Sequence, residues 1–514
     1  MIKTAKYFTF TFFMFLLLFS CGGTDPDTDL TVIPAPTSVS LSPGSLSLAQ
    51  EGGTSQITVS APANPSFTCS EDWVSVSPGT FKDYKVTADV KVGPNDTYGK
   101  RSATVVISSG ALQAKLEIAQ DGKERTYTAQ PGKNDAWTMA NKLSIGWNMG
   151  NQLDAFSGNT PNETIWGNPM ATQATFTGVK KAGFQSVRIT VTWLDKIGDA
   201  PDYTVNPTWM TRVKEVVSYA KAAGLNVILN THHDENNNDE HWLNIKGASE
   251  DEATNAAIKA KIKGLWTNIA NEFKNEGDYL IFESFNELQD GGWGWSDAFR
   301  KDPTVQCNIL NDWNQVFVDA VRATGGNNAT RWLGVPTYAA NPSFEQYFKM
   351  PSDPAGKIML AVHFYDPNEY TIGDKQYSEW GHTGTKGKKE TWGDEDHVRE
   401  VFGNLNAKYV EKNVPVYLGE FGCSMRNKND ARAWAFYKYY LEYVVKAART
   451  YGLPAFLWDN GVEGYGKERH GYINHGNGTY MGNSQEVIDI MFKAMTSSEE
   501  SYTLQSVYNS APTF

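Results

Sequence analysis

Most of the chain alternates between short apolar runs and longer amphipathic stretches, a pattern typical of parallel βα units. The apolar runs predict eight strands at residues 143–150, 186–193, 226–233, 279–287, 332–337, 358–365, 414–422 and 454–461. The stretches between them predict helices, for example at 209–223, 252–275, 310–324, 396–412 and 431–450. Eight such units predict an α/β fold, a (β/α)8 TIM barrel over residues 136–514. A doubly wound open sheet is the alternative.

Residues 37–122 follow a different pattern, in which apolar and polar side chains alternate with a period of two. Segments of this kind, separated by Gly, Pro and Asn, predict short strands with one buried face. They lie at 45–48, 55–59, 73–76, 104–107 and 115–118. Their spacing predicts a small all-β, immunoglobulin-like sandwich ahead of the barrel, with Trp73 in its core. A polar linker at 123–135 joins the two domains.

The first residues have the pattern of a secretion signal. Lys3 and Lys6 precede an apolar stretch at 8–19, which is too short to cross a bilayer. The stretch ends at Leu18-Phe19-Ser20-Cys21, which resembles the cleavage box of bacterial lipoproteins. In such a box the cysteine becomes the first mature residue and carries the lipid.

We therefore expect a signal peptide at 1–20 and a lipidated Cys21 on a flexible tether at 21–36. These features predict an outer membrane lipoprotein that faces the cell surface or the periplasm. The alternative is a plain secretory signal with a chance cysteine. Contact with the membrane is expected only through the N-terminal lipid.

Composition narrows the class of partner. The 514 residues carry a formal charge of −12, and so acidic a protein repels phosphate backbones, which excludes nucleic acid as an expected partner. Aromatic residues make up 13%, with 16 Trp and 24 Tyr, and flat aromatic faces suit the CH faces of sugars. The other cysteines, Cys69, Cys307 and Cys423, form no disulfide framework. Because no Cys/His spacing indicates a metal site, we expect no metal, no cofactor and a monomer.

Polar side chains stand at the carboxyl ends of most predicted barrel strands, where this fold carries its catalytic groups. Buried charges need partners, so chance would not place them at the ends of apolar runs. These residues are Asn148, Asn151, Arg188, His232, His233, Asn286, Glu287, His363, Tyr365, Glu420 and Trp458.

Glu287 and Glu420 form the pair that glycoside hydrolysis requires. They end strands 4 and 7 of the predicted barrel, so they can meet across its opening. Hydrolysis with retention needs two carboxyl groups about 5–5.5 Å apart, one to donate a proton and one to attack the anomeric carbon. Two close carboxylates do not both ionise easily, so one should be protonated near neutral pH. The alternative is two structural carboxylates paired with Arg188 or with lysines.

Both domains resemble known families. Residues 37–122 resemble a BACON domain, on the motifs Trp73-Val74-Ser75-Val76, Arg101-Ser102-Ala103-Thr104-Val105 and Ile118-Ala119-Gln120-Asp121-Gly122. Some relatives of that domain were proposed to bind carbohydrate, and a spacer that holds the next domain off the membrane is the favoured interpretation here.

The barrel resembles glycoside hydrolase family 5, and most of all its subfamily 4 of endoglucanases, lichenases and xyloglucanases. The similarity covers roughly residues 130–495. The matching stretches are Gly146-Trp147-Asn148-Met149-Gly150-Asn151, Ser186-Val187-Arg188-Ile189, Leu229-Asn230-Thr231-His232-His233, Phe285-Asn286-Glu287, His363-Phe364-Tyr365, Leu418-Gly419-Glu420-Phe421-Gly422 and Trp458-Asp459-Asn460-Gly461. One departure is Leu288, where members often carry Pro after the acid/base; we expect it to alter the loop and not the chemistry.

The resemblance implies a role for each matching residue. Glu287 would be the acid/base and Glu420 the nucleophile, with Asn286 bonded to the sugar 2-hydroxyl. Arg188 and Tyr365 would stabilise the Glu420 carboxylate, Arg188 through a charge-assisted fork. The remaining implied contacts are His363 beside Glu287, His232 and His233 on the adjacent sugar, Trp458 beneath it, and Asn151 and Asp154 on substrate.

Aromatic residues on the predicted loops suggest an extended groove. Trp293 and Trp295 lie among glycines at 289–300, and Trp242 lies in the loop after strand 3. The loop at 366–397 is too long for a plain connection, so it is predicted to bind substrate; its aromatic residues are Tyr370, Tyr377, Trp380 and Trp392. Several platforms along one groove favour cleavage within a chain.

The resemblance and the groove together imply an endo-acting, retaining hydrolase of β-1,4- or mixed-linkage glucans such as xyloglucan, with polysaccharide as its partner. A mannan- or xylan-directed relative of the same barrel is one alternative, and an inactive surface glycan-binding protein is another. Glu283, inside strand 4, is expected to pair with a buried partner and not to act on substrate.

Overall fold

The computed structural model describes residues 33–95, 101–122, 134–235 and 241–514. They form two compact units, one ending at Gly122 and the other running to Phe514. The predicted signal peptide, Cys21, most of the tether and nearly all of the linker lie outside the described residues. Within the described part of the chain, no helix has the length and apolarity needed to cross a bilayer.

The first unit is a β-sandwich. Its strands are Ser40–Ser42 (β1), Ser45–Leu48 (β2), Gly53–Ser60 (β3), Ser66–Cys69 (β4), Val74–Pro78 (β5), Lys85–Val92 (β6), Arg101–Ser109 (β7) and Leu112–Gln120 (β8). They form two four-stranded sheets, in the orders β1-β3-β6-β5 and β2-β8-β7-β4. The five predicted strands are confirmed, while β1, β4 and β6 were missed. Strand β6 carried a clear signal, because Val86, Ala88, Val90 and Val92 alternate with polar residues and are buried.

Trp73 packs against the sandwich core as predicted. The guanidinium carbon of Arg101 lies 4.0 Å from the centre of its ring, which covers one face of the indole. A ring that packs against the core and has one face covered by Arg101 is poorly suited to stacking on a sugar.

The second unit is the predicted TIM barrel. Its strands are Ile145–Asn148 (β9), Ser186–Ile189 (β12), Asn226–Asn230 (β13), Leu280–Glu283 (β14), Leu333–Pro336 (β15), Ile358–Phe364 (β16), Val416–Phe421 (β17) and Ala455–Leu457 (β18). All neighbours are parallel and the sheet closes from β18 back to β9, which confirms the eight predicted strands and rejects the open sheet. Each observed strand is shorter than its predicted run, and His363 and Glu420 still lie within β16 and β17.

Helices and a small hairpin connect the barrel strands. The helices are Asp135–Leu143 (α1), Gln173–Lys181 (α2), Pro207–Ala222 (α3), Ile245–Glu250 (α4), Glu252–Glu272 (α5), Asp297–Lys301 (α6), Pro303–Ala323 (α7), Asn368–Thr371 (α8), Glu395–Lys408 (α9), Ala431–Tyr451 (α10), Ser484–Thr496 (α11) and Leu504–Asn509 (α12). The hairpin pairs Phe156–Ser157 (β10) with Thr160–Pro161 (β11). Side-chain caps start the long helices: Asp251 accepts the Thr254 N–H at α5, and Asp430 accepts the Ala433 N–H at α10.

The amino-terminal end of the barrel is closed by apolar side chains, which we call the barrel floor. Helix α1 lies across this end, and its Met139 and Leu143 join the inward-facing residues of the strands. The floor consists of Met139, Leu143, Ile228, Ile281, Met359, Ala361, Tyr417 and Phe456, all nearly or fully buried. With this end filled, the opposite end of the barrel is the one that can admit a ligand.

Candidate active site

A cleft of about 1260 Å³ opens at the carboxyl ends of the barrel strands. Both predicted carboxylates line it, Glu287 just after β14 and Glu420 near the end of β17. Other predicted residues that line it are Asn151, His232, His233, Asn286, His363, Tyr365 and Trp458. The prediction that polar strand ends converge on one site is therefore confirmed for most of these residues.

The two glutamates lie close together. A carboxylate oxygen of Glu287, one of Glu420 and a ring nitrogen of His363 all lie within 4.8 Å of one another. This spacing agrees with the separation of about 5–5.5 Å used in retention and leaves no room for the water that inversion places between the carboxyl groups.

Each glutamate has its own set of partners. Nδ1 of His363 lies 2.7 Å from Oε1 of Glu287, as predicted. The Tyr365 hydroxyl donates to Oε2 of Glu420 at 3.0 Å, and Nη1 of Arg188 donates to Oε1 of Glu420 at 2.8 Å. Glu420 is thus held by donors on both oxygens, whereas Glu287 has one oxygen turned to a histidine.

The arginine fork differs from the prediction. Nε and Nη2 of Arg188 donate to Glu283, at 3.0 and 2.6 Å, so the forked pair is formed with Glu283. Glu420 receives a single hydrogen bond from Arg188. Nη2 also donates to Oδ1 of Asn286 at 2.8 Å. The strand positions alone could not show which of two inward-facing carboxylates the guanidinium would bind, and Arg188, which carries five N–H donors, binds both.

Glu283 pairs with buried partners, as predicted. Besides Arg188, it accepts from the Tyr417 hydroxyl at 2.6 Å and from Nδ2 of Asn230 at 3.0 Å. Burial favours its neutral form, yet the charge and hydrogen bonds of Arg188 outweigh burial and lower the pKa of Glu283. We call the charged group Arg188, Glu283 and Glu420, with Asn148 and Asn230, the barrel mouth.

The two cleft glutamates differ in acidity. Burial, aided by the charge of Glu235, raises the pKa of Glu287 to about 7. Burial also raises the pKa of Glu420, but the charge and the hydrogen bond of Arg188 oppose that effect. Because Arg188 and Tyr365 donate to both oxygens of Glu420, the proton shared by the pair is assigned to Glu287.

The histidines take opposite charge states. Burial lowers the pKa of His363 to about 4 and holds that of His232 well below its usual range, so both are neutral at pH 7. Burial acts in the same direction on His233, but the hydrogen bond that its Nδ1 donates to Glu235, at 3.2 Å, and nearby carboxylates raise its pKa to about 9. His233 is therefore a charged donor beside the cleft.

The structure corrects the predicted role of Asp154 as a substrate contact. It has no accessible surface and accepts the backbone N–H groups of Asn151 and Gln152, at 3.0 and 2.8 Å. It therefore shapes the turn that carries Asn151, whose backbone is left-handed (φ 58°), into the cleft, and it is not among the described residues that line the cleft.

The predicted aromatic platforms divide into two groups. Trp293, Trp295 and Trp392 are 50%, 77% and 48% exposed and line the cleft, as expected. Trp458 also lines it, with its ring parallel to that of His232 at 5.9 Å between centres.

The prediction of a substrate-binding surface is wrong for the other four aromatic residues, since none is among the described residues that line the cleft. Trp380 and Tyr370 are buried, and Nε1 of Trp380 donates to the Gly393 carbonyl at 2.7 Å. Trp242 packs against the barrel core and donates to Asp234 at 2.7 Å, and Tyr377 also packs on that core.

Two groups of donor atoms have spacings that could hold a cation: Asp154 with His232 and His233, and Glu287 with His363 and Glu420. In both groups the carboxylates are already bound to N–H or O–H donors of the protein, and the second group is the reacting pair itself.

Comparison with known proteins identifies the family. The model for cellulase (glycosyl hydrolase family 5) matches residues 148–464, more than half of the chain, and the BACON model of N-terminal domains matches residues 63–121. The chain belongs to glycoside hydrolase family 5. Its barrel is a cellulase-type, retaining glycoside hydrolase, and the family match includes both Glu287 and Glu420.

Relatives within family 5 cover much of the molecule. Endoglucanase A of Paenibacillus barcinonensis is 36% identical over 67% of this chain and 86% of its own. A xyloglucan-specific endo-β-1,4-glucanase of Bacteroides ovatus is 32% identical over 81% of this chain and 87% of its own. The structure of a broad-specificity endoglucanase from Bacteroides salanitronis is 47% identical over 73% of this chain and 99% of its own, with a TM-score of 0.68.

Several cleft residues of this family 5 barrel were missed from the sequence. Trp166 lines the cleft from a loop, as do Glu468 and His470 after β18, and Phe344 and Tyr347 line it from a short 3-10 helix at Pro342–Tyr347. Glu235 was also missed, although it lies two residues after His233 and pairs with it; an acid two residues from a cleft histidine was the available signal.

Proposed function

We propose that this family 5 enzyme hydrolyses internal β-1,4-glucosidic bonds of β-glucans by double displacement, with Glu420 as nucleophile and Glu287 as acid/base. The supporting observation is the pair of carboxylate oxygens within 4.8 Å of each other in an open cleft, one on a group with a pKa of about 7. The assignment of each role follows from the contacts of each glutamate.

In the first step, Glu420 attacks the anomeric carbon while Glu287 donates its proton to the departing glycosidic oxygen. Glu420 is suited to attack, because Arg188 and Tyr365 donate to its oxygens and stabilise the carboxylate. Glu287 is suited to donate, because burial keeps it protonated and His363 occupies only Oε1, which leaves Oε2 to carry the proton.

In the second step, Glu287, now a carboxylate, removes a proton from the water that attacks the glycosyl–Glu420 ester. The sugar leaves with its original anomeric configuration, and both glutamates return to their starting states. Oδ1 of Asn286 accepts a hydrogen bond from Arg188, which leaves the amide NH₂ to contact the sugar 2-hydroxyl. That contact strengthens in the transition state.

The form of the cleft supports cleavage within a chain. Four exposed tryptophans, Trp166, Trp293, Trp295 and Trp392, line it from three loops, since Trp293 and Trp295 share one. A row of such surfaces binds several consecutive sugars, and an open cleft lets the polymer extend at both ends. We infer that plant β-glucans, including xyloglucan and mixed-linkage glucan, are its substrates.

The decisive experiment compares Glu420→Gln and Glu287→Gln on barley β-glucan, xyloglucan, carboxymethylcellulose and mannan. We expect Glu420→Gln to lose on the order of 10⁴-fold or more in kcat on every substrate cleaved. Glu287→Gln should lose about 10²- to 10⁴-fold on polymers but much less on an aryl cellobioside, whose leaving group needs no proton.

Azide separates the two roles further. It should rescue Glu287→Gln as a β-glycosyl azide and Glu420→Gln as an α-glycosyl azide, because it replaces water in one case and the nucleophile in the other. Near-normal polymer turnover by either variant would exclude the proposed roles, and turnover of mannan alone would exclude the proposed substrates.

We also propose that a lipid on Cys21 anchors a monomer to the outer membrane. The support is the order of Lys3, Lys6, the apolar stretch at 8–19 and the cleavage-box residues before Cys21. In the native host, Cys21→Ser should abolish incorporation of labelled fatty acid and shift the protein out of the detergent phase, whereas Cys69→Ser should do neither. Labelled Cys21→Ser protein would refute the anchor.

A further inference from the structure

The loop after β18 places an acidic side chain in the cleft that the mechanism does not use. Glu468 lines the cleft, together with Tyr365, Trp458 and His470. It forms no ion pair within the described residues; its neighbour Lys467 pairs with Asp374 instead. A carboxylate in this position is available to a ligand.

The backbone at Glu468 is unusual. Its φ is +56°, in the left-handed region that costs an L-residue roughly 1–2 kcal/mol. The same loop has three other left-handed positions, and all are glycine: Gly461, Gly464 and Gly466. Glutamate thus occupies a position where glycine would relieve the backbone, so local stability does not explain its presence.

The surrounding contacts fix this conformation. The buried Asn460 donates to the Glu468 carbonyl at 3.1 Å and accepts the N–H groups of Val462 and His470, at 3.1 and 3.2 Å. On the other side, Met425 exchanges backbone hydrogen bonds with the loop, donating to the Arg469 carbonyl and accepting from the Gly466 N–H. The loop therefore presents Glu468 at a fixed place.

That place is beside the reacting groups. Burial raises the pKa of the Tyr365 hydroxyl well above its usual range, and the charges of Glu420, Glu287 and Glu468 add to the effect. Glu468, Tyr365 and Glu420 line the same cleft, and Tyr365 donates to Glu420, so a sugar bound at Glu420 lies in the cleft that Glu468 lines.

We propose that Glu468 is a substrate-binding residue that accepts hydrogen bonds from hydroxyls of the sugar held beside Trp458 and Tyr365. This inference rests on the proposed β-glucanase function. A carboxylate has two oxygens and accepts from neighbouring hydroxyls at once, and bonds to a charged acceptor are about twice as strong as neutral ones. The contact is made in the bound substrate as well as in the transition state, so it contributes mainly to binding.

The test uses Glu468→Gln and Glu468→Gly, with Glu463→Gln as the matched control. Glu463 is an exposed acid in the same loop that does not line the cleft. On cellohexaose, both Glu468 variants should lower kcat/KM roughly 10- to 100-fold, mostly through KM, and the control should match wild type. The Tm of Glu468→Gly should equal or exceed that of wild type, because glycine accepts φ +56°.

Binding provides an independent measurement. In the Glu420→Gln background, calorimetry with cellohexaose should show Kd raised roughly 10- to 100-fold by Glu468→Gln and unchanged by Glu463→Gln. An unchanged Kd and KM would overturn the inference, and so would a Tm loss of several degrees in Glu468→Gly, which would indicate a structural role. These outcomes leave the proposed function intact; only a wild-type enzyme inactive on β-glucans, or an active Glu420→Gln, would remove that.

Discussion

The barrel floor and the barrel mouth are built on the same strands from opposite kinds of side chain. On β14, Ile281 belongs to the floor and Glu283 to the mouth, two residues apart and therefore on the same side of the sheet. The floor is held by apolar packing, which depends on volume, whereas the mouth is held by charge pairing, which depends on every partner being present. Stability and chemistry are thus separable along a single strand, and variants can test this.

The largest combined effect is expected at Glu283, where the two regions meet. Glu283→Gln leaves Arg188 with one anionic partner in a buried site, so unfolding should cost about 3–5 kcal/mol less. Because Arg188 also binds Glu420, kcat should fall about tenfold or more, which corresponds to about 1.4 kcal/mol. Denaturant unfolding and steady-state kinetics measure the two effects.

A second buried carboxylate–arginine pair serves as the control. Glu163 pairs with Arg212 at 2.7 Å and does not line the cleft. Glu163→Gln should lose stability and keep its kcat. If Glu283→Gln behaved in the same way, the charged network would not support catalysis.

A substitution in the barrel floor should lower stability and leave activity nearly unchanged. Ile281→Ala removes apolar volume from a fully buried position, so the free energy of unfolding should fall by about 2–5 kcal/mol. Measured well below its Tm, kcat should stay within about twofold of wild type, since no floor side chain other than Tyr417 contacts the mouth through a described hydrogen bond. A collapse of kcat without loss of stability would show that the regions are not separable.

Proton linkage should distinguish the cleft acid. Glu287 has a folded pKa of about 7 against an ordinary value of 4.5, so the folded state favours its protonated form. That stability is fully present below pH 4.5 and is lost as pH rises through 7, up to about 3 kcal/mol. The stability gained by Glu287→Gln should therefore grow between pH 4.5 and 8.

The pH dependence of activity should reflect the protonation of Glu287. kcat/KM of the wild type should fall above about pH 7, as Glu287 loses its proton, and fall again in acid, as Glu420 gains one. A flat rate profile from roughly pH 4 to 8 would contradict the paired assignment.

The smallest effect is expected on the loops above the mouth. Trp295→Ala removes a ring that is 77% exposed, so KM for polymeric glucan should rise a few-fold, about 1 kcal/mol, with Tm unchanged. Trp380→Ala, at 2% exposed, is the matched variant and should lower Tm instead. Equal effects on Tm would remove the distinction between platform and core.

The strands were predictable because their burial on both faces leaves uninterrupted apolar runs, and Glu287 and Glu420 because polar residues end those runs. Side-chain direction was not predictable in loops. Trp242 and Trp380 have the same residue type and loop setting as Trp295, yet they point into the core, where their N–H groups find acceptors. Asp154 was likewise predicted to contact substrate, but its carboxylate accepts hydrogen bonds from backbone N–H groups. Glu468 escaped notice because its left-handed backbone is a property of the folded loop and has no signature in residue order.

The placement of the tryptophans has a practical consequence. The reacting glutamates are carried by or directly follow strands, whereas Trp166, Trp293, Trp295 and Trp392 sit on loops that can be exchanged without moving a strand. An engineer who wishes to redirect this catalyst to another polysaccharide should therefore graft loops and retain the barrel. The same arrangement allows loop sequences to change the substrate specificity in evolution while the catalytic residues stay the same.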